Sequence, residues 1–338
     1  MQKAEVVVVT GASAGVGRAT VQEFARRGAR IGLLARNAEA LDAAKAEVER
    51  LGGQALSCPT DVSKASEVEA AAAAVESAFG PIDIWVNNAM VTIVTPVKEL
   101  QPEEVEHATA VTYLGTVYGT LAALKRMLPR NRGTIVQVGS ALAYRAIPLQ
   151  APYSGAKFAI RGFTDSLRSE IQHDGSRVHL TMVQMPALNT PQFDWCKTRM
   201  PHQPQPVPPI FQPEVAARAI VWAAHRRRRE VWVGSSTMTA ILANKLVPGF
   251  IDRYLAAKGY DSQQTPQPVR ADRVDNFWEH VAGDHGAHGR FDSRAQSRSA
   301  ALFLSTHRRW LGAAVAGAGA LALYKSLKPV SDVHRGRR

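Results

Sequence analysis

The sequence contains little cysteine, and this scarcity excludes a fold held together by disulfides. Its 338 residues include two cysteines. Cys58 falls in an apparent strand and Cys196 in a loop, a usage that fits a reducing compartment. No signal peptide is expected, because an apolar strand begins within the first few residues. No internal repeat is apparent, which excludes a solenoid. These absences together predict a cytoplasmic globular protein.

The chain is rich in positive charge, but it lacks the motifs of a nucleic-acid binder. Its net charge is +12, and four consecutive arginines stand at Arg226–Arg229. Helix-turn-helix, RNP and zinc-finger signatures are absent, and cations at a helix end complement the helix dipole. We therefore predict no nucleic-acid partner. His285 and His288 lie among glycines without a further set of ligands, so we also predict no metal site.

Apolar runs alternate with helical segments along most of the chain. The run Ala4–Val9 is rich in valine, which is typical of a strand buried on both faces. Ala38–Leu51 and Ser63–Phe79 are rich in Ala and Glu and have the pattern of surface helices. The alternation predicts an α/β fold, a doubly wound parallel sheet of the Rossmann type. The apolar runs are residues 4–9, 30–35, 54–58, 82–87, 134–138, 178–183 and 230–233.

A glycine-rich turn follows the first strand and precedes a helical pattern. Its glycines, Gly11, Gly15 and Gly17, have the spacing G-x-x-x-G-x-G. Such glycines let the backbone approach a pyrophosphate, and the helix N-terminus stabilises its charge. The alternative is an ordinary tight turn between a strand and a helix. The strand–turn–helix context favours a dinucleotide site.

The second strand, Arg30–Ala35, ends without an acidic residue. An Asp or Glu at its end would bind the ribose 2′-hydroxyl of NAD, and Ala35 cannot. Arg36 comes next and can pair with a 2′-phosphate, while Ser13 can add a hydrogen bond. We therefore predict NADP(H) as the cofactor. In the alternative interpretation, Arg36 is a solvated loop arginine.

Ser140, Tyr153 and Lys157 form a candidate catalytic group. Tyr153 and Lys157 are four positions apart, so a helix projects them from one face. A lysine ammonium beside a phenol favours the phenolate, so we expect the pKa of Tyr153 to fall below its usual value of roughly 10. Ser140 stands at the end of an apolar run, where a strand can aim its hydroxyl at the same substrate oxygen. Taken alone, the Tyr–Lys spacing also fits a solvated helix face.

In this order and at these separations, the motifs resemble those of the short-chain dehydrogenase/reductase family. The resemblance covers about residues 4–235 and implies an oxidoreductase that interconverts a carbonyl and an alcohol by hydride transfer. It also implies a homo-oligomer, since the family commonly forms dimers and tetramers. The motifs that carry it are Thr10–Gly17, Asp61–Val62, Asn87–Asn88–Ala89, Ser140, Tyr153 and Lys157.

The resemblance assigns roles to these residues. Tyr153 would be the general acid in reduction and the base in oxidation. Lys157 would lower the Tyr153 pKa and hold the nicotinamide ribose, and Ser140 would polarise the substrate carbonyl. Asp61 and Val62 would contact the adenine, although Asp61 also fits the start of a helix. The residues expected to bind the cofactor are Gly11, Ser13, Gly15, Val16, Gly17, Arg36, Asp61, Val62, Asn88, Ala89, Tyr153, Lys157 and Thr190.

Three places depart from the family pattern. Met90 replaces a glycine near the cofactor, and Met185–Pro186 stand where Pro-Gly is expected, ahead of Thr190. Thr112 replaces a catalytic asparagine that normally holds a water, and a threonine hydroxyl binds water with fewer hydrogen bonds. These departures leave an alternative function open, a cofactor-binding, membrane-tethered scaffold or sensor with reduced catalysis.

The segment Pro186–Pro213 is rich in proline and aromatic residues, and a connection of this length is typical of a functional lid. If its aromatic side chains line the site, the substrate is bulky and apolar. In the alternative, they pack the segment onto the core. The expected substrate wall comprises Phe193, Trp195, Ile210 and Phe211 together with Met90, Leu142 and Tyr144.

The C-terminal region carries much of the positive charge. Arg290–Arg338 contains ten Lys/Arg and two Asp, a net +8. The uncharged run Trp310–Tyr324 would form a helix of ~22 Å, shorter than a hydrocarbon core of ~30 Å. Flanking basic and aromatic residues at 308–328 leave two interpretations open, a marginal membrane anchor or a helix packed within an oligomer. The predicted parts of the chain are the family domain at 1–235, a helical and irregular extension at 236–305, and the basic tail at 306–338.

Overall fold

The computed structural model of the protein describes residues 4–308, and seven parallel strands form its central sheet. Short strand pairs lie outside this sheet. The strands are β1 (Val6–Thr10), β2 (Arg30–Ala35), β3 (Gln54–Pro59), β4 (Ile84–Asn87), β5 (Ile93–Val94), β6 (Thr134–Ser140), β7 (His179–Met185), β8 (Lys197–Thr198), β9 (His202–Pro204), β10 (Ile210–Phe211), β11 (Glu230–Trp232), β12 (Gln264–Pro268) and β13 (Ala295–Gln296).

Helices cover both faces of the sheet. A π-helical turn, Ala110–Leu114, joins the fourth helix to the fifth. The helices are α1 (Gly15–Ala25), α2 (Ala38–Arg50), α3 (Ala65–Phe79), α4 (Pro102–Thr109), α5 (Gly115–Met127), α6 (Ala151–His173), α7 (Gln192–Trp195), α8 (Pro213–Ala224), α9 (Ser235–Leu246) and α10 (Pro248–Lys258).

The strand order in the sheet is β11-β7-β6-β4-β1-β2-β3. β2 and β3 lie in order on one side of β1, and β4 lies on its other side. This reversal makes a crevice at the carboxyl ends of β1 and β4, which is where doubly wound sheets bind their ligands. The predicted fold class is confirmed, and each of the seven predicted apolar runs forms a strand of this sheet.

Burial on both faces of the sheet explains the valine-rich sequence of β1. Val7 and Val9 pack into the apolar layer that α1, α2 and α8 cover. Val6 and Val8 pack into the opposite layer with α3, α5 and α6, and all four valines are fully buried. The two predicted surface helices correspond to α2 and α3, each with a buried face toward the sheet.

The extension after residue 235 wraps the core. It begins with α9 and α10, and further along the chain Phe277 is fully buried in the apolar layer of α3 and α5. β12 pairs with β9 and β13 pairs with β10, so the extension also holds the segment Pro186–Pro213 in place. The predicted division of the chain at residue 235 coincides with the start of α9 and stays a prediction.

The predicted membrane-contacting run Trp310–Tyr324 lies outside the described residues. Residues 300–308 are helical. Within residues 4–308, no helix combines the length and the apolar character needed to cross a membrane.

Candidate active site

The turn between β1 and α1 has room for backbone alone. Gly11 and Gly15 have φ angles of +67° and +56°, which residues with side chains rarely adopt. A Cβ added to Gly17 would stand 1.9 Å from the carbonyl oxygen of Gly11. The shape of this turn therefore requires all three glycines.

Thr10 and Asn88 clamp the glycine turn to the end of β4. The side-chain amide of Asn88 donates to the carbonyl oxygens of Thr10 (3.0 Å) and Gly11 (3.3 Å). The hydroxyl oxygen of Thr10 accepts from the main-chain N–H groups of Asn88 (2.9 Å) and Ala89 (3.0 Å). Asn88 therefore shapes the predicted cofactor cleft by holding its backbone.

The N-terminus of α1 opens into the crevice between β1 and β4. The first N–H groups of a helix have no intrahelical partner. That of Gly15 donates to the carbonyl oxygen of Gly286 at 3.0 Å, whereas those of Val16 and Gly17 bond to no acceptor within residues 4–308. A backbone cradle that a Cβ would fill, beside free N–H groups at a helix N-terminus, fits the pyrophosphate of a dinucleotide.

A cavity of about 120 Å³ adjoins the glycine turn. It brings together residues from four separate loops at the carboxyl edge of the sheet and from the extension. The predicted cofactor-binding residues that border it are Gly11, Ser13, Arg36, Asp61, Val62 and Ala89. Other residues that border it include Met90, Val91, Val111, Trp195, Asn276, His280, Val281 and His285.

Arg36 and Asp61 bring opposite charges to this cavity. Arg36 donates to the main-chain oxygens of Trp278 (2.6 Å) and Asn276 (2.7 Å). Asp61 accepts from the N–H (3.0 Å) and the hydroxyl (2.7 Å) of Ser63, just ahead of α3. Burial opposes the ionisation of Asp61, but the bonds from Ser63 and the charge of Arg36 outweigh it and lower the pKa of the carboxyl. Asp61 is therefore an anion at neutral pH.

Ser140, Tyr153 and Lys157 lie on the elements that the sequence predicts. Ser140 is the last residue of β6, and the other two lie at the start of α6. The Lys157 Nζ is 5.5 Å from the centroid of the Tyr153 ring and donates to the carbonyl oxygen of Val138 at 2.7 Å. Because β6 pairs with β4, Ser140 lies at the same edge of the sheet as the crevice.

The expectation that the pKa of Tyr153 falls below its usual value is wrong. Burial raises the pKa of Tyr153 to about 12, and the hydroxyl of Ser140 acts in the opposite direction. Burial also lowers the pKa of Lys157 to about 8. The reason is that both groups lose water, while the ammonium is directed to the carbonyl oxygen of Val138. Tyr153 is therefore a neutral phenol at physiological pH, which is the form that donates a proton.

Thr112 is fully buried in the π-helical turn. Its hydroxyl donates to the carbonyl oxygen of Val91 (3.1 Å) and accepts from the N–H of Val91 (3.2 Å). The single donor of this hydroxyl is thus used within the protein, and one acceptor lone pair remains. Its predicted catalytic role, holding a water, stays a prediction, in which Thr112 acts as an acceptor.

Thr190 lies beside the N-terminus of α1. A Cβ added to Gly15 would stand 3.2 Å from the Cβ of Thr190. The loop that carries Thr190 follows β7, which ends at Met185. Thr190 thus borders the glycine turn, and its predicted contact with the nicotinamide carboxamide stays a prediction.

Two residues of the expected substrate wall instead pack the lid segment onto the protein. Ile210 and Phe211 are buried, and they pair with β13 of the extension. Trp195 borders the same cavity as Arg36, at the end where the adenosine is predicted. Ile210 and Phe211 therefore fit the alternative interpretation, in which the segment packs onto the core.

Tyr144 also has a structural partner. Its hydroxyl donates to the carboxylate of Glu230, and its ring centroid lies 3.9 Å from the guanidinium carbon of Arg161. Burial and the neighbouring Glu230 raise the pKa of Tyr144. The substrate contacts expected of Met90, Leu142 and Phe193 stay a prediction.

Arg18 is the main residue of the site that the sequence analysis missed. Its side chain is fully buried, and its guanidinium donates to Glu47 (2.8 Å), to the carbonyl oxygen of Ser13 (2.9 Å) and to Asp284 (3.0 Å). It thereby joins the glycine turn, α2 and the extension. An arginine on the first turn of a helix looks like a surface residue, and Asp284 lies 266 positions away, so no local signal identifies this pairing.

The buried Lys157 gives the free energy of unfolding a specific pH dependence. Its pKa is about 8 in the folded protein, against an ordinary value of 10.5, so between these values the unfolded chain binds more protons. Stability should therefore rise with pH across this window, and the rise should be reduced in Lys157→Met. Urea unfolding at about pH 8 and about pH 10 measures the difference. Lys125→Met, at an exposed position, is the control. Equal pH dependence in wild type and Lys157→Met would contradict the buried ammonium.

Comparisons with known proteins agree with this geometry. The family model described as short chain dehydrogenase matches residues 5–197. The uncharacterized oxidoreductase YxnA of Bacillus subtilis (strain 168) is 31% identical over 322 residues, which cover 95% of this chain and 90% of that protein.

Solved structures share the fold of this chain. A metagenomic short-chain oxidoreductase in complex with NADP is 27% identical, with a TM-score of 0.57, over 68% of this chain and 96% of that one. A short chain dehydrogenase/reductase from Burkholderia phymatum in complex with NAD is 22% identical, with a TM-score of 0.65, over 75% of this chain and 97% of that one, and this likeness concerns the fold alone. With the glycine turn and the Ser–Tyr–Lys group in place, the chain belongs to the short-chain dehydrogenase/reductase family.

Proposed function

We propose that the protein is an NADP(H)-dependent oxidoreductase that interconverts a carbonyl and an alcohol. The observation that carries this proposal is the position of Ser140, Tyr153 and Lys157. They lie at the carboxyl edge of the sheet that also carries the glycine turn. A proton donor, its hydroxyl neighbour and a buried ammonium thus stand beside a cradle that fits a dinucleotide.

The side chains of this group divide the acid–base work. A bound nicotinamide would supply or accept the hydride. The neutral phenol of Tyr153 donates a proton to the carbonyl oxygen in reduction, and the Ser140 hydroxyl orients that oxygen by a hydrogen bond. The neutral phenol is the form that donates a proton in reduction. The buried ammonium of Lys157 adds positive charge that favours the oxyanion of Tyr153 once the proton has left.

The choice of NADP(H) over NAD(H) rests on Arg36. A guanidinium has five N–H donors, and the protein bonds to Arg36 at two of its nitrogens, through the carbonyl oxygens of Trp278 and Asn276. Its remaining donors bond to no acceptor within residues 4–308 and are available to a phosphate, and Ser13 borders the same cavity. The NADP-bound structure that shares this fold supports the same choice.

The residues proposed to meet the substrate are apolar. Met90 follows Ala89 of the cofactor cleft, and Leu142 comes two residues after Ser140 in the chain. Side chains of this size favour a bulky apolar carbonyl compound over a small polar one, because they remove apolar surface of the substrate from water.

Arg36→Asp tests the choice of cofactor. A carboxylate at this position repels a 2′-phosphate, so NADPH affinity should fall by about a hundredfold relative to NADH affinity. Fluorescence titration of the full-length protein with NADPH and with NADH measures this ratio. Arg50→Asp makes the same charge change at an exposed position of α2 and should leave the ratio unchanged.

Two outcomes would contradict the role of Arg36. One is an equal loss of NADPH and NADH affinity in Arg36→Asp, which would mean that Arg36 supports the cleft without recognising the 2′-phosphate. The other is tighter binding of NADH than of NADPH by the wild-type protein, which would assign NAD as the cofactor.

Tyr153→Phe tests the proton donor. Loss of the hydroxyl should lower kcat for reduction of aromatic and aliphatic ketones by about a hundredfold or more, while NADPH affinity changes by less than about twofold. Tyr260→Phe, at an exposed position, is the control. Full activity of Tyr153→Phe would remove Tyr153 from the mechanism. A cellular function that survives this change would favour the alternative, a cofactor-binding scaffold or sensor.

A further inference from the structure

Residues 276–289 of the extension, which we call the strap, run along the outer side of the cavity. Asn276, His280, Val281 and His285 of the strap border the cavity directly. Phe277 anchors one end of the strap, because its side chain is fully buried in the apolar layer of the core. The strap is therefore part of the wall of the proposed cofactor site.

Main-chain oxygens of the strap hold the residues that follow β2. The carbonyl oxygens of Asn276 and Trp278 accept from Arg36, and those of Val281 (2.9 Å) and Gly283 (3.0 Å) accept from the side-chain amide of Asn37. These bonds fix the direction of the Arg36 guanidinium before any ligand arrives. Pre-organised donors of this kind lower the cost of binding a phosphate.

An ion pair ties the other end of the strap to the glycine turn. Both carboxylate oxygens of Asp284 accept from the guanidinium of Arg18, at 3.0 Å and 3.2 Å. Two residues further on, the carbonyl oxygen of Gly286 accepts from the N–H of Gly15. Arg18 is fully buried, whereas 38% of the Asp284 side chain is exposed, so water reaches the pair from the carboxylate side.

The space between the strap and the core is narrow. The cavity between them has a volume of about 120 Å³. The Asp284 end of the strap has to open for a dinucleotide to enter, and to close again for the strap to cover it. The direction of such movement follows from the contacts, because Phe277 is buried in the core while Asp284 is held at its surface by hydrogen bonds and charge.

We infer that the strap is the outer wall of the subsite for the adenosine and its 2′-phosphate, and that the Asp284–Arg18 pair is the latch that keeps it closed over the bound dinucleotide. Asp284 is thus a positioning residue for the cofactor. His280 and His285 of the strap also border this cavity. This inference rests on the proposed function.

Hydrogen exchange of the full-length protein, with and without NADP⁺, separates the inference from the proposed function. Amides of residues 11–17 should gain protection when the dinucleotide occupies the glycine turn, and amides of residues 276–289 should gain protection because the strap closes over it. If residues 11–17 gain protection and the strap loses it, the dinucleotide displaces the strap, and the inference is overturned while the proposed function stands. If neither segment changes, both are overturned.

Asp284→Asn tests the latch. Removing the charge leaves Arg18 paired with Glu47 and frees the strap, so stopped-flow measurement should show NADPH dissociating about tenfold faster. Asp284→Glu keeps the charge and should retain most of the slow dissociation. Asp272→Asn, which alters an exposed ion pair with Arg270 in the same extension, is the control and should match wild type. Dissociation from Asp284→Asn at the wild-type rate, or tighter binding of NADPH, would overturn the latch.

Discussion

The carbonyl oxygen of Gly11 lies so close to the Cα of Gly17 that a methyl group there would stand 1.9 Å from it. This contact lets α1 begin directly above the carboxyl end of β1, with its N–H groups turned toward the crevice. Asn88 and Thr10 hold the same turn to the end of β4. The loop of Thr190 and the extension pack against this turn, at Gly15.

Two buried cations give the site its electrostatic character. Arg18 joins the turn to α2 and to the extension, and Lys157 stands beside Tyr153 at the other end of the crevice. Burial affects them differently, because Arg18 is paired with carboxylates and its pKa is raised, whereas Lys157 bonds to a neutral carbonyl oxygen and its pKa is lowered. Arg18 therefore holds parts of the fold together, whereas the charge of Lys157 can stabilise negative charge that develops on the phenol of Tyr153.

The sequence predicts those features of the fold and the site that depend on residues close together in the chain. Valine-rich runs and Ala/Glu-rich helices identify the sheet and its covering layers, because a strand buried on both faces and an amphipathic helix have characteristic periods. Ser140 at a strand end and Tyr153 with Lys157 on a helix follow from spacing alone. The direction of the Tyr153 pKa does not, because it depends on how much water the folded protein removes. The strap lies beyond prediction as well, since its bonds to Arg36 join residues about 240 positions apart.

The central claim is that the glycine turn holds the pyrophosphate of a nicotinamide dinucleotide. Calorimetric titration of Gly17→Ala with NADP⁺ tests it most directly, with Gly162→Ala as the control, since a Cβ at Gly162 meets no atom within 4 Å. Circular dichroism establishes that both variants are folded. The account predicts wild-type affinity for Gly162→Ala and a loss of about a hundredfold or more for Gly17→Ala. Wild-type affinity in folded Gly17→Ala would contradict it, because the dinucleotide would then be bound elsewhere on the protein.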